Sequence, residues 1–123
     1  MKRAMMTVVA GSLVAIVVGT AAANAAEMRL RCESRSGRSR SKISVDGRNV
    51  PRGTYTVTVA SGANSASDMK GSVGDEVEFD FDSATGEVGD VRIAGTFIQG
   101  GDVCATITGN GLTLSACERC RQD

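Results

Sequence analysis

The chain has 123 residues, 14 Lys/Arg against 14 Asp/Glu, four cysteines, three phenylalanines, one tyrosine, and neither histidine nor tryptophan. Balanced charge argues against a dedicated nucleic-acid binder, and the absence of histidine excludes Ser-His or Cys-His catalysis and any histidine-ligated metal. Few aromatics mean a thin core, so covalent support from the cysteines is expected.

At the N-terminus, Lys2 and Arg3 precede an uncharged run from Ala4 to Ala26, densest from Val8 to Val18. It closes in Ala23-Asn24-Ala25, a small-x-small cleavage site before Ala26. This is the order of a secretory signal peptide. Residues 1–25 are therefore expected to be removed, leaving 26–123 as one disulfide-stapled domain, periplasmic or secreted, with no membrane span. An uncleaved anchor is the alternative, but the apolar core is short and no basic stop follows at once. Cys32, in MRLRC, lacks the small-residue context of a lipidated cysteine.

Beyond the leader the pattern is alternation of period two, cut by glycine, which marks half-buried strands. Met28, Leu30 and Cys32 alternate with Arg29, Arg31 and Glu33, and after SRSGRSRS, Ile43 and Val45 alternate with Lys42 and Ser44. With Ser36-Gly37 as the turn, Leu30 would face Ile43 and Met28 would face Val45. Tyr55, Val57 and Val59 then alternate with Thr54, Thr56 and Thr58. The approach to that strand, DGRNVPRGTYTVTV, resembles the entry to the Gly-Thr-Tyr strand of transthyretin-like and other prealbumin-type sandwich modules. The resemblance implies a fold class and no activity. GANSASDMKGSVG (62–74) is apolar-poor and reads as a loop or a weak edge strand. Val77, Phe79 and Phe81 share one strand face; in DVRIAGTFIQ, Val91, Ile93 and Phe97 do, with Gly95 at a bulge or close contact. About seven strands and no helical period predict an all-β domain, a single small β-sandwich of immunoglobulin-like or transthyretin-like type, with a small barrel second.

The last element is CATITGNGLTLSACERC, 104–120. Asn-Gly between alternating residues predicts a two-residue type I′ hairpin. Counting outward from Asn110-Gly111, Cys104 falls opposite Cys117 at a non-hydrogen-bonded position, where Cα atoms are about 4.5 Å apart. Cys32 is left to join Cys120. Two structural disulfides are the leading expectation. A zinc site is disfavoured because Cys32 and Cys104 stand alone rather than in a second CxxC. A redox CxxC at 117–120 is disfavoured because too few residues follow to form the helix whose dipole would activate it.

Charge is unevenly spread. Residues 26–52 carry eight Lys/Arg against three Asp/Glu, and residues 53–123 carry four against eleven. Glu76, Glu78, Asp80 and Asp82 line one strand face, with Glu87 and Asp90 beyond; a solvated face is expected, and Ca²⁺ binding by the four is the alternative. Arg29, Arg31, Arg35, Arg38, Arg40 and Lys42 are candidates for gripping an anionic polymer. No aromatic interleaves them, so specific nucleic-acid stacking is not expected. No residue stands out as catalytic and no cofactor is expected. The sequence thus reads as a non-enzymatic binding or structural module whose partner is another exported protein or an anionic cell-envelope polymer. A Ca²⁺ module and a thiol-redox or zinc protein are the alternatives.

Overall fold

The computed structural model describes residues 25–35, 37, 39–84 and 88–122; all of the expected leader but Ala25 lies outside them. These residues form nine strands: β1 Glu27–Arg35, β2 Arg40–Arg48, β3 Thr54–Ser61, β4 Asn64–Gly71, β5 Glu76–Asp82, β6 Val91–Arg92, β7 Asp102–Gly109, β8 Leu112–Arg119 and β9 Arg121–Gln122. Seven of them are long; β6 and β9 are two-residue pieces. They build a five-stranded sheet, β6-β5-β2-β1-β9, and a four-stranded sheet, β4-β3-β7-β8. There is no α-helix among the described residues.

Period-two alternation puts one face of each sheet inward. From the larger sheet come Leu30, Cys32, Ile43, Val45, Val77, Phe79 and Phe81; from the smaller, Tyr55, Val57, Val59, Val103, Ala105, Ile107, Leu112 and Leu114. All are buried, and each large side chain removed from water contributes about 1.5–3 kcal/mol. Tyr55 carries the one polar group among the largest of these, and its hydroxyl donates to the Pro51 carbonyl.

The β1–β2 register corrects the sequence expectation. Leu30 faces Val45 and Cys32 faces Ile43, with Met28 opposite Gly47. The expected pairing is displaced by two residues because Arg35 and Arg40 still face each other, so the connection is longer than a two-residue turn. A shift of two preserves side-chain parity. The same residues therefore point inward despite the wrong partners.

The strand expected through Phe97 also stops short, since β6 ends at Arg92. Beyond Ile93, whose amide still donates to the Asp82 carbonyl, two buried serines supply several of the backbone's hydrogen bonds. Ser41 Oγ donates to the Gly95 carbonyl at 2.8 Å and accepts from Ile98 N at 3.2 Å. Ser61 Oγ accepts from Gln99 N at 2.8 Å and donates to the Asp102 carbonyl at 2.6 Å. The serines come from opposite sheets, so the segment spans the sandwich while Ile93 and Phe97 still enter the core. Glycine at 95 is required by contact: a Cβ there would lie 1.7 Å from the Ser39 carbonyl oxygen.

The apolar-poor stretch 62–74 contains an edge strand. β4 pairs with β3 alone, and Asp68 and Lys70 lie opposite the inward-facing Val57 and Tyr55. Charges directed toward the interior of an edge strand discourage edge-to-edge association.

Candidate functional site

The cysteines occupy two different kinds of place. Asn110 and Gly111 adopt φ values of 52° and 77°, as a type I′ turn demands. The turn fixes the ladder that follows, and Cys104 is directly opposite Cys117. Their sulfurs are bonded, with the Cα atoms 3.9 Å apart and both residues exposed on the outer face of the smaller sheet. Cys32 is bonded to Cys120 across 88 residues, and this pair is buried. Cys120 N donates to the Gly101 carbonyl at 2.7 Å. The chain then crosses between sheets so that β9 can pair with β1 at Glu33 and Ser34. The two members of the CxxC motif thus belong to separate bridges, and no cysteine is free.

All the described charged candidates fall on the outer face of the five-stranded sheet. The register aligns Arg121, Glu33, Lys42, Asp82 and Arg92 in one row across five strands. Their signs alternate. Neighbouring rows run Arg31–Ser44–Asp80, Arg29–Asp46–Glu78 and Glu27–Arg48–Glu76. Ion pairs run on the diagonals between strands, Arg40 to Asp82 at 3.2 Å and Arg31 to Asp46 at 3.5 Å, and along β1, Arg35 to Glu33 at 3.9 Å. Ser44 Oγ donates to Asp80 Oδ1 at 2.8 Å. Opposite charges facing across strands stabilise by about 0.2–1 kcal/mol each.

This arrangement places the Ca²⁺ candidates and the anion candidates on one surface, interleaved. Glu76, Glu78, Asp80 and Asp82 are strung along β5, and same-face neighbours on a strand are about 6.8 Å apart. Each faces β2, with Arg48 opposite Glu76 and Lys42 opposite Asp82. Among the described residues no three His, Cys, Asp or Glu side chains are grouped so that they could hold a metal ion. Arg38 and Glu87 lie outside the described residues. Asp90 is in the segment immediately before β6. Burial acts to raise the Asp82 carboxyl, but the Ala84 amide and the Arg40 and Lys42 cations outweigh it, holding the group below the usual carboxylate range.

An open cleft of about 380 Å³ lies where this face meets the crossing segment. Arg31, Lys42, Arg119 and Arg121 line it with Glu33 and Glu118, over Leu30, Cys32 and Ser44. Four cations line it against two carboxylates, although Arg31 is also paired with Asp46 and Arg119 with Asp102.

The outer face of the smaller sheet is chemically opposite. Its rows run Thr113–Thr108–Thr56–Met69, then Ser115–Thr106–Thr58–Ser67, then Cys117–Cys104–Ala60–Ser65. Hydroxyls pair within a row, Thr106 with Ser115 at 3.1 Å and Thr58 with Ser67 at 3.2 Å. Sequence reasoning found the threonine alternation of Thr54, Thr56 and Thr58 on β3. That the strands join into one uncharged face depends on β7 pairing with β3, for which no local sequence cue exists.

Among the described residues no helix is long and apolar enough to cross a membrane, and two disulfides suit an oxidising compartment. Comparison with known proteins found no matching family model, curated protein or solved structure.

Proposed function

We propose that the chain is an exported, non-catalytic binding or structural module, a sandwich of immunoglobulin-like or transthyretin-like type acting in the periplasm or outside the cell. It meets its partner, another exported protein or an anionic envelope polymer, through its sheet surfaces. The observation that supports this reading is the alternating row Arg121–Glu33–Lys42–Asp82–Arg92. Ionisable groups set opposite their counter-charges on an outer face suit a durable, soluble surface. General acid–base catalysis instead needs such groups converging on one reacting atom. The cationic cleft of Arg31, Lys42, Arg119 and Arg121 is the part of that surface fitted to an anion.

The test is retention of the purified domain by heparin, as a model polyanion, and by envelope proteins of the producing cell under cross-linking. Retention by either that weakens with salt and is lost in the R119S/R121S variant supports the proposal. Hydrolysis of envelope polymers by the domain, or a saturable calorimetric response to Ca²⁺ abolished by D80N/D82N, would overturn it in favour of an enzyme or a Ca²⁺ module.

A further inference from the structure

We propose that Cys104–Cys117 is a thiol-exchange site, a surface disulfide opened by an external dithiol while Cys32–Cys120 stays closed. Three observations converge on the difference between the bridges.

The first is access. Exchange requires a thiolate to reach a disulfide sulfur. Cys104 and Cys117 are exposed on the uncharged threonine face, whereas Cys32 and Cys120 are 8% and 6% exposed. The nearest charges along that face, Asp102 and Arg119, are paired with each other at 3.5 Å. An incoming thiolate therefore meets a neutral surface.

The second is the ladder. Cys104 and Cys117 face each other in an unbroken antiparallel register that runs from Asp102 opposite Arg119 to Gly109 opposite Leu112. Their Cα atoms are 3.9 Å apart, below both the about 4.5 Å of a non-hydrogen-bonded pair and the about 4.4–6.8 Å usual for a disulfide. The Cys32–Cys120 separation of 4.7 Å falls within that range. The pairs on either side of the two cysteines bring them opposite each other independently of the sulfur bond. Opening the bond leaves the hairpin's own hydrogen bonds in place.

The third is topology. The exposed bridge closes a sequence separation of 13 residues, and the buried one closes 88. Restriction of the unfolded chain grows with loop length, so the fold depends more on the less exposed bridge.

The reaction balances with the dithiol as reductant. One of its thiolates attacks a cysteine sulfur, the Cys104–Cys117 bond breaks, and the other cysteine leaves as a thiolate. The second thiol of the reductant then displaces the bound cysteine. Two electrons pass to the protein, which ends with two thiols, and the reductant leaves as its own disulfide.

The experiment is a titration of the native protein with dithiothreitol, quenched with iodoacetamide and followed by intact mass and peptide mapping. The expected result is a species carrying two alkyl groups, both within peptide 93–119. It should form at roughly tenfold lower dithiothreitol than the four-alkyl species and keep the native circular dichroism. The C104A/C117A variant should fold and lose that intermediate. Four groups added together, first labelling at Cys32 and Cys120, an unfolded two-alkyl species or a C104A/C117A variant that cannot fold would each overturn the proposal.

Discussion

Removing the buried bridge by Cys32→Ala with Cys120→Ala should cost the domain much of its stability. The bond closes 88 residues, and on the chain-entropy scale a loop of that size restricts the unfolded state by about 4.6 kcal/mol. The exposed bridge, with a separation of 13, reaches only about 2.9 kcal/mol on the same scale. Even that is an upper figure, because an Asn-Gly hairpin keeps its ends close in part of the denatured ensemble. Small domains have about 5–15 kcal/mol in total. The double variant should therefore melt about 20–35 °C below the parent, at about 4–8 °C per kcal/mol. Thermal unfolding followed by circular dichroism, with C104A/C117A alongside, measures both. A C32A/C120A loss under about 5 °C, or a larger loss in C104A/C117A, would refute the reasoning that chain closure at β9 holds the sandwich.

Other parts of the fold yield equally specific expectations. Ser41→Ala removes the partner of the Gly95 carbonyl and the Ile98 amide; two stranded backbone groups should cost roughly 2–4 kcal/mol by urea unfolding. Gly95→Ala forces a methyl 1.7 Å from the Ser39 carbonyl oxygen and should cost more than about 3 kcal/mol or prevent folding, and near-parental stability would contradict the close approach. Asp82→Asn tests the charged row through pH. A carboxyl held below its ordinary value contributes stability that is fully present above about pH 4 and is lost as pH falls through the lowered value. The urea midpoints of parent and D82N should differ at pH 7 and converge on acidification below that point; a difference unchanged down to about pH 2 would show that ionisation of Asp82 is not its source.

What could be read from sequence tracks how local the determining interaction is. The β7–β8 register and the Cys104–Cys117 pairing follow from Asn110-Gly111, because a two-residue turn leaves one register open. The β1–β2 hairpin has no such turn, so its faces were legible from alternation but its partners were displaced by two. Ile93 and Phe97 were legible as core residues, yet their strand ends at Arg92. Ser41 and Ser61, distant in sequence, supply the hydrogen bonds that let the chain leave the ladder there. The candidate site divides in the same way. Each strand's charges were visible individually, but their interleaving depends on the strand order β5-β2-β1-β9. Two of its adjacencies, β2 with β5 and β1 with β9, join strands far apart in the chain.

The central claim is that paired strands and two assigned bridges, rather than cysteine chemistry at the CxxC, shape the C-terminal end. Tryptic mapping of the denatured, thiol-blocked but unreduced protein tests it most directly, because cleavage after Arg119 separates Cys117 from Cys120. Peptide 93–119 should appear two hydrogens lighter than its reduced form, and peptide 32–35 should appear joined to 120–121. Joining of 120–121 to 93–119 would contradict the account.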